Sequence, residues 1–101
     1  PPRDALTLDA RSVLPGLQLV RVNPAVIAEM NLPLETGGVA VVDLGQFGRR
    51  VGLRRGDVIE AINGIEMTHP DEVATAMGGA VRRIEMVIQR GNQRSLLRFR
   101  V

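Results

Sequence analysis

The chain has no cysteine, no tryptophan and no tyrosine, and its aromatic side chains are Phe47 and Phe99 alone. Without cysteine neither a disulfide framework nor a thiolate site can form, which is compatible with an oxidising compartment but does not define one. The core has to be built from Val, Ile, Leu and Met. No apolar run approaches the roughly 20 residues of a membrane-spanning helix, so no membrane insertion is expected. No leader of the secretory type opens the chain, so a secreted parent would imply a mature or excised piece. Groups for catalysis are equally scarce. His69 is the one histidine, and the serines are Ser12 and Ser95. No G-x-S-x-G elbow surrounds either serine, and no second histidine could complete a metal cluster. The isolated chain is therefore expected to be no enzyme, with no cofactor and no metal, and His69 to be a helix cap or a surface residue.

What is present suits one modest globular domain. A length of 101 residues, 45% of them apolar and 24% charged, allows a single core. The formal charge is only +2, yet the basic side chains are all arginine. They occur in ones and twos, as at Arg49-Arg50, Arg54-Arg55 and Arg82-Arg83, interleaved with carboxylates. That distribution reads as a solvated surface. A nucleic-acid groove would want clustered cations with stacking aromatics, and the aromatics are missing.

Residues 1–14 are polar, proline-led and without clear period, and read as a linker to a domain over 15–101. Residues 16–22 are strand-like. Asn23-Pro24 then gives a cap and a first helical residue for a helix Pro24–Met30 with Val26, Ile27 and Met30 on one face. Asn31-Leu32-Pro33 ends it. Gly37-Gly38 precede a strand over 39–44. Two adjacent glycines leave backbone N–H groups unobstructed, as in an anion-binding nest, and equally suit an ordinary flexible loop; the residues alone leave both open. Glu35 sits beside them. Thr68 or His69 caps a second helix starting at Pro70, with acids in its first turn. Its apolar face is Val73, Ala76, Met77 and Ala80, and Gly78-Gly79 stop it. A closing hairpin pairs 84–90 with 95–101, Leu97, Phe99 and Val101 facing one way and Arg98 and Arg100 the other.

The organising stretch is 51–64. Gly52 and Gly56 bracket a tight turn, the apolar run Val58–Ile62 is a mostly buried strand, and Asn63-Gly64 is the strongest short signal for a type I′ hairpin. The run Gly-Leu-x-x-Gly-Asp-Val-Ile-x-x-Ile-Asn-Gly, from Gly52 to Gly64, resembles the signature of a PDZ domain. The form it resembles is that of bacterial Deg/HtrA (Do-like) periplasmic serine proteases, most closely their second PDZ domain, over about residues 14–101.

The resemblance implies an α+β fold: a PDZ-like, partly open barrel or sandwich of five to six strands with two to three short helices. It implies a peptide-binding module for C-terminal or extended hydrophobic segments, which tethers substrate to, or regulates, a periplasmic serine protease. Partners would be C-terminal or unfolded polypeptide segments, the parent's protease domain and its other PDZ domains. By position, the family's slot falls between strand 39–44 and helix 70–77. Thr36, Gly37, Gly38 and Val39 match the loop whose N–H groups receive a terminal carboxylate. Val39, Ala40 and Val41 follow as the strand, with Val39 and Val41 lining the pocket beside Met77, and Ala74 and Gly78 match helix positions that face the ligand. Two other readings stand beside this one. The groove is vestigial and the domain is an assembly surface between protease subunits, or the chain is an arginine-rich nucleic-acid binder.

Overall fold

The dipeptide Asn63-Gly64 turns the chain with both residues at positive φ, 51° and 82°, the geometry of a type I′ turn. In this computed structural model, which describes residues 5–34, 36–78 and 82–100, that turn joins two of seven strands. The strands are β1 (Ala5–Thr7), β2 (Gln18–Arg21), β3 (Val39–Asp43), β4 (Val58–Ile62), β5 (Ile65–Glu66), β6 (Arg83–Arg90) and β7 (Gln93–Arg100). They form one antiparallel sheet in the order β1-β2-β3-β4-β6-β7, with β5 paired to β4 off that path. Helix α1 (Pro24–Met30) and helix α2 (Pro70–Ala76) complete the fold. Over the described residues the fold is thus an open sheet of seven strands with two short helices.

Each helix is set by its cap. Asn23 Oδ1 accepts from the Val26 N–H at 2.8 Å, and Pro24 follows at a position whose own N–H would be unpaired anyway. Asn31 closes α1 in the left-handed conformation, at φ 56°. At α2 the cap is His69, and Glu72 reaches back to the N–H groups of Thr68 (2.7 Å) and His69 (2.9 Å).

Two apolar clusters lie on opposite faces of the sheet. The larger gathers Leu19, Val39, Val41, Ile59, Ile62, Ile84, Met86 and Ile88 under Val73 and Met77 of α2. The smaller packs Val20, Ala40 and Val58 against Val26 of α1. Ile59 and Ile62 are three apart, so a regular strand would send them to opposite faces. A register shift against β6 between Ile59 and Ala61 adds the extra residue that returns both to one core.

The structure differs from the sequence reading chiefly at the start. Residues 5–14 are not a bare linker: they supply β1, and Leu8 and Leu14 are buried in the main core. β1 is only three residues long, and its pattern acquires meaning once Leu6 lies opposite Leu19. Glu35, Gly79, Ala80 and Val101, which also entered that reading, lie outside the described residues.

Candidate functional site

Helix α2 lies across β1 and β2, and this decides where a strand and a helix can share a cleft. β3 is an interior strand. Val39 is paired with Arg21 on one side and Ile59 on the other, and Ala40 with Val20 and Val58. Val41 pairs with Leu19, donates to Asp57 O at 2.8 Å and accepts from the Gly56 N–H at 2.9 Å. All three side chains are fully buried. In the slot expected between 39–44 and 70–77, β3 therefore has both edges paired, to β2 and to β4.

The expected loop fares similarly. Thr36 folds back on Pro33, giving its N–H (3.0 Å) and its hydroxyl (2.6 Å) to the Pro33 carbonyl. Gly37 is exposed, and Gly38, at φ 115°, gives its carbonyl to the Val22 N–H. A Cβ on Gly38 would stand 2.6 Å from Ile59 O, so this glycine serves the close packing of β3 on β4. Glu60 and Glu66 flank the depression beside Gly37 and Gly38, an environment that opposes a carboxylate. Ala74 and Gly78 do line a cleft, and across it lie β1 and the segment that follows it, while Met77 is buried in the core behind. A cavity of about 310 Å³ there is lined by Leu6, Leu8, Ser12, Ala74 and Gly78, with Asp9 and Arg11 as its charged members.

The loop leading into β2 completes this cleft. Gly16 stands at φ 84°, and its N–H donates to the Leu8 carbonyl at 2.8 Å. Gly45 packs against it so closely that a Cβ there would meet Gly16 C and Pro15 O at 2.7 Å. The 14–17 loop is therefore held by backbone contact. Leu14, Leu17 and Leu19 line the core side of the loop and strand. On the helix side the Met77 carbonyl accepts from the Val13 N–H at 3.0 Å, and Ser12 bridges Gly78. Sequence reasoning did not bring Leu14, Gly16, Leu17 and Leu19 together at this cleft. The signal available was a glycine entering the alternation Leu17-x-Leu19, the same pattern sought one strand later.

Other polar groups have structural duties. Glu72 is held below the ordinary carboxylate range by the Thr68 N–H first, then the Thr68 hydroxyl and the His69 N–H. Ser12 Oγ accepts from the Leu14 N–H at 3.2 Å, and Ser95 lies on β7 opposite Ile88. His69 is the N-cap residue of α2. Among the described residues no helix is long and apolar enough to cross a membrane.

An antiparallel sheet whose one edge runs beneath a short helix makes a small α+β fold. The chain belongs to the PDZ domain family, whose family model matches residues 38–90, more than half of its length. The HtrA-type protease AlgW with decapeptide is similar at 26% identity and a TM-score of 0.77, over 89% of this chain and 28% of that one. The chain thus spans little more than a quarter of that protease. The HtrA3 PDZ domain bound to a phage-derived ligand (FGRWV) matches at 21% identity and a TM-score of 0.71, over 83% of this chain and 79% of that one. The PDZ domain of EpsC from Vibrio cholerae matches at 18% identity and a TM-score of 0.57, over 84% and 77%. These last two speak to the fold alone. No curated protein matches the chain by sequence.

Proposed function

We propose that this domain binds extended polypeptide segments with an aliphatic carboxyl end, in the cleft between β2 and α2, by adding a strand to β2. One observation carries the reading. The edge of β2 beneath α2 already accepts an extended aliphatic segment, with an N–H from the 14–17 loop on its carbonyl. In this reading the strand side of the site is β2 in place of Thr36, Gly37, Gly38, Val39, Ala40 and Val41, with Ala74, Met77 and Gly78 on the helix side. The likeness to an HtrA-type protease carrying a decapeptide supports a peptide ligand. It also supports a parent serine protease in the periplasm, in which this domain tethers substrate or regulates the catalytic domain.

The test is a matched pair of peptides ending in Leu, one with a free carboxylate and one amidated, titrated at low and high salt. A charged acceptor on the Gly16 N–H forms a bond about twice as strong as a neutral one. The free acid should therefore bind about tenfold or more tightly, corresponding to about 1.5 kcal/mol. Equal affinities would reduce the site to strand addition without carboxylate reading. Binding that weakens steeply with salt would instead favour an anionic, nucleic-acid-like partner. Occupation of the β2 edge by β1 is also what an assembly surface with a closed groove would show, and the exchange experiment below separates the two.

A further inference from the structure

We propose that residues 5–8 are a built-in ligand of this groove, that Leu8 is its terminal anchor, and that an outside peptide binds only by displacing them. This rests on the β2–α2 groove assignment. β1 runs antiparallel to β2, with Ala5 opposite Val20, Leu6 opposite Leu19 and Thr7 opposite Gln18, and so heads for the 14–17 loop. At the end of that run Leu8 is 3% exposed, in contact with the core formed by Leu14, Leu17 and Met77. Its N–H donates to Leu17 O at 2.9 Å, and its carbonyl accepts from the Gly16 N–H at 2.8 Å. The chain then turns away. Asp9 takes the Arg11 N–H on its side chain (2.9 Å) and the Ser12 N–H on its carbonyl (3.1 Å). If the chain ended at Leu8, one oxygen of the new carboxylate would stand where the Leu8 carbonyl now meets Gly16.

The occupant also defines the class of outside ligand. Leu6 and Leu8 face the core while Ala5 and Thr7 are exposed, so the groove reads an aliphatic residue at the carboxyl end and another two positions before it. The two competitors differ in two terms. The internal segment is tethered by the short 9–16 loop, which gives it an effective concentration of order millimolar. A free peptide lacks the tether but brings a charged carboxylate in place of a neutral carbonyl, and so gains the stronger bond. A strand of three residues at a sheet edge, with two of its three side chains in water, is the part of the sheet that opens most readily.

The experiment uses the full chain and its Leu6→Glu variant, with acetyl-Ala-Leu-Thr-Leu as a free acid. Leu6 is half-buried at the rim, so its replacement weakens β1 with less damage to the core than Leu8→Asp. Peptide affinity is measured for both proteins, and amide exchange is followed strand by strand without peptide. The proposal expects Leu6→Glu to release β1 while β2 to β7 keep their protection, and peptide affinity to rise about tenfold or more as the competitor is removed. It also expects peptide binding to wild type to expose the amides of residues 5–8. Equal affinity for both proteins, with β1 released in the variant, would overturn the built-in ligand and leave the groove assignment standing. Failure of the released variant to bind the peptide at all would overturn the groove assignment itself. Loss of protection across the whole sheet in Leu6→Glu would make β1 a permanent structural strand and overturn the proposal.

Discussion

Asp57 is 1% exposed, and its carboxylate is fully engaged. Arg90 donates from Nε to Oδ1 at 2.8 Å and from Nη2 to Oδ2 at 2.7 Å, and the Arg54 N–H donates to Oδ2 at 2.8 Å. Arg90 Nη2 also reaches Gly52 O at 2.8 Å, so one guanidinium fastens the 52–57 turn to β6. The bonds from Asp57 hold Arg90 above its ordinary range, firmly protonated. Removing one partner of a buried pair costs about 3–5 kcal/mol, and since the Arg90 side chain is 32% exposed, Arg90→Ala should cost about 2–3 kcal/mol after screening. Urea denaturation checks this; an unchanged midpoint would make the pair a surface ornament. Gly38→Val should lower stability by at least about 1–2 kcal/mol from the left-handed backbone alone, with the clash on Ile59 O added. Thermal melting reads it, and a melt like wild type would contradict the packing of β3 on β4. At this scale Asn63-Gly64, Gly52 and Gly56 were legible because a turn is written in its own residues. The Asp57–Arg90 pair was not, because the partners are 33 residues apart and only the sheet brings them together.

Among the elements, both helices could be read from their caps. Helix α1 runs Pro24–Met30 behind Asn23, and α2 starts at Pro70 behind His69. Asn23→Ala should cost about 1 kcal/mol, measured by chemical denaturation, and no loss would mean the cap is idle. For α2 the pH dependence follows from Glu72. Its carboxyl is held below the ordinary range in the folded chain, so its stabilising effect is complete above that range and fades as pH falls through the lowered value. Glu72→Gln should flatten the acid limb of a plot of melting temperature against pH and leave the neutral limb parallel to wild type. An unaltered acid limb would remove Glu72 from the cap. β1 escaped sequence reading because three residues carry too little periodicity, and its Leu6 and Leu8 acquire a face only from β2. The register shift in β4 was hidden for the same reason, since it is a property of the pairing with β6.

For the whole molecule, the family and most elements could be read from the sequence, and the groove proposed above lies one strand away from the slot expected there. The glycine-then-alternation pattern occurs twice, at Gly16-Leu17-x-Leu19 and at Gly38-Val39-x-Val41. Only the sheet order decides between them. β3 lies between β2 and β4, while β2 carries β1 and runs beneath α2. Helix-side residues Ala74, Met77 and Gly78 belong to both readings of the groove because a helix face is local to its own sequence. The strand-side residues required topology.

The central claim is that peptides add beside β2. It is tested most directly by a backbone amide map of the full chain titrated with a Leu-ended free-acid peptide. The account predicts that the largest shifts fall in residues 5–21 and 73–78, with Gly16 among the strongest, while Gly37 through Val41 stay nearly still. Shifts centred on Thr36 to Val41, with Gly16 unmoved, would contradict it.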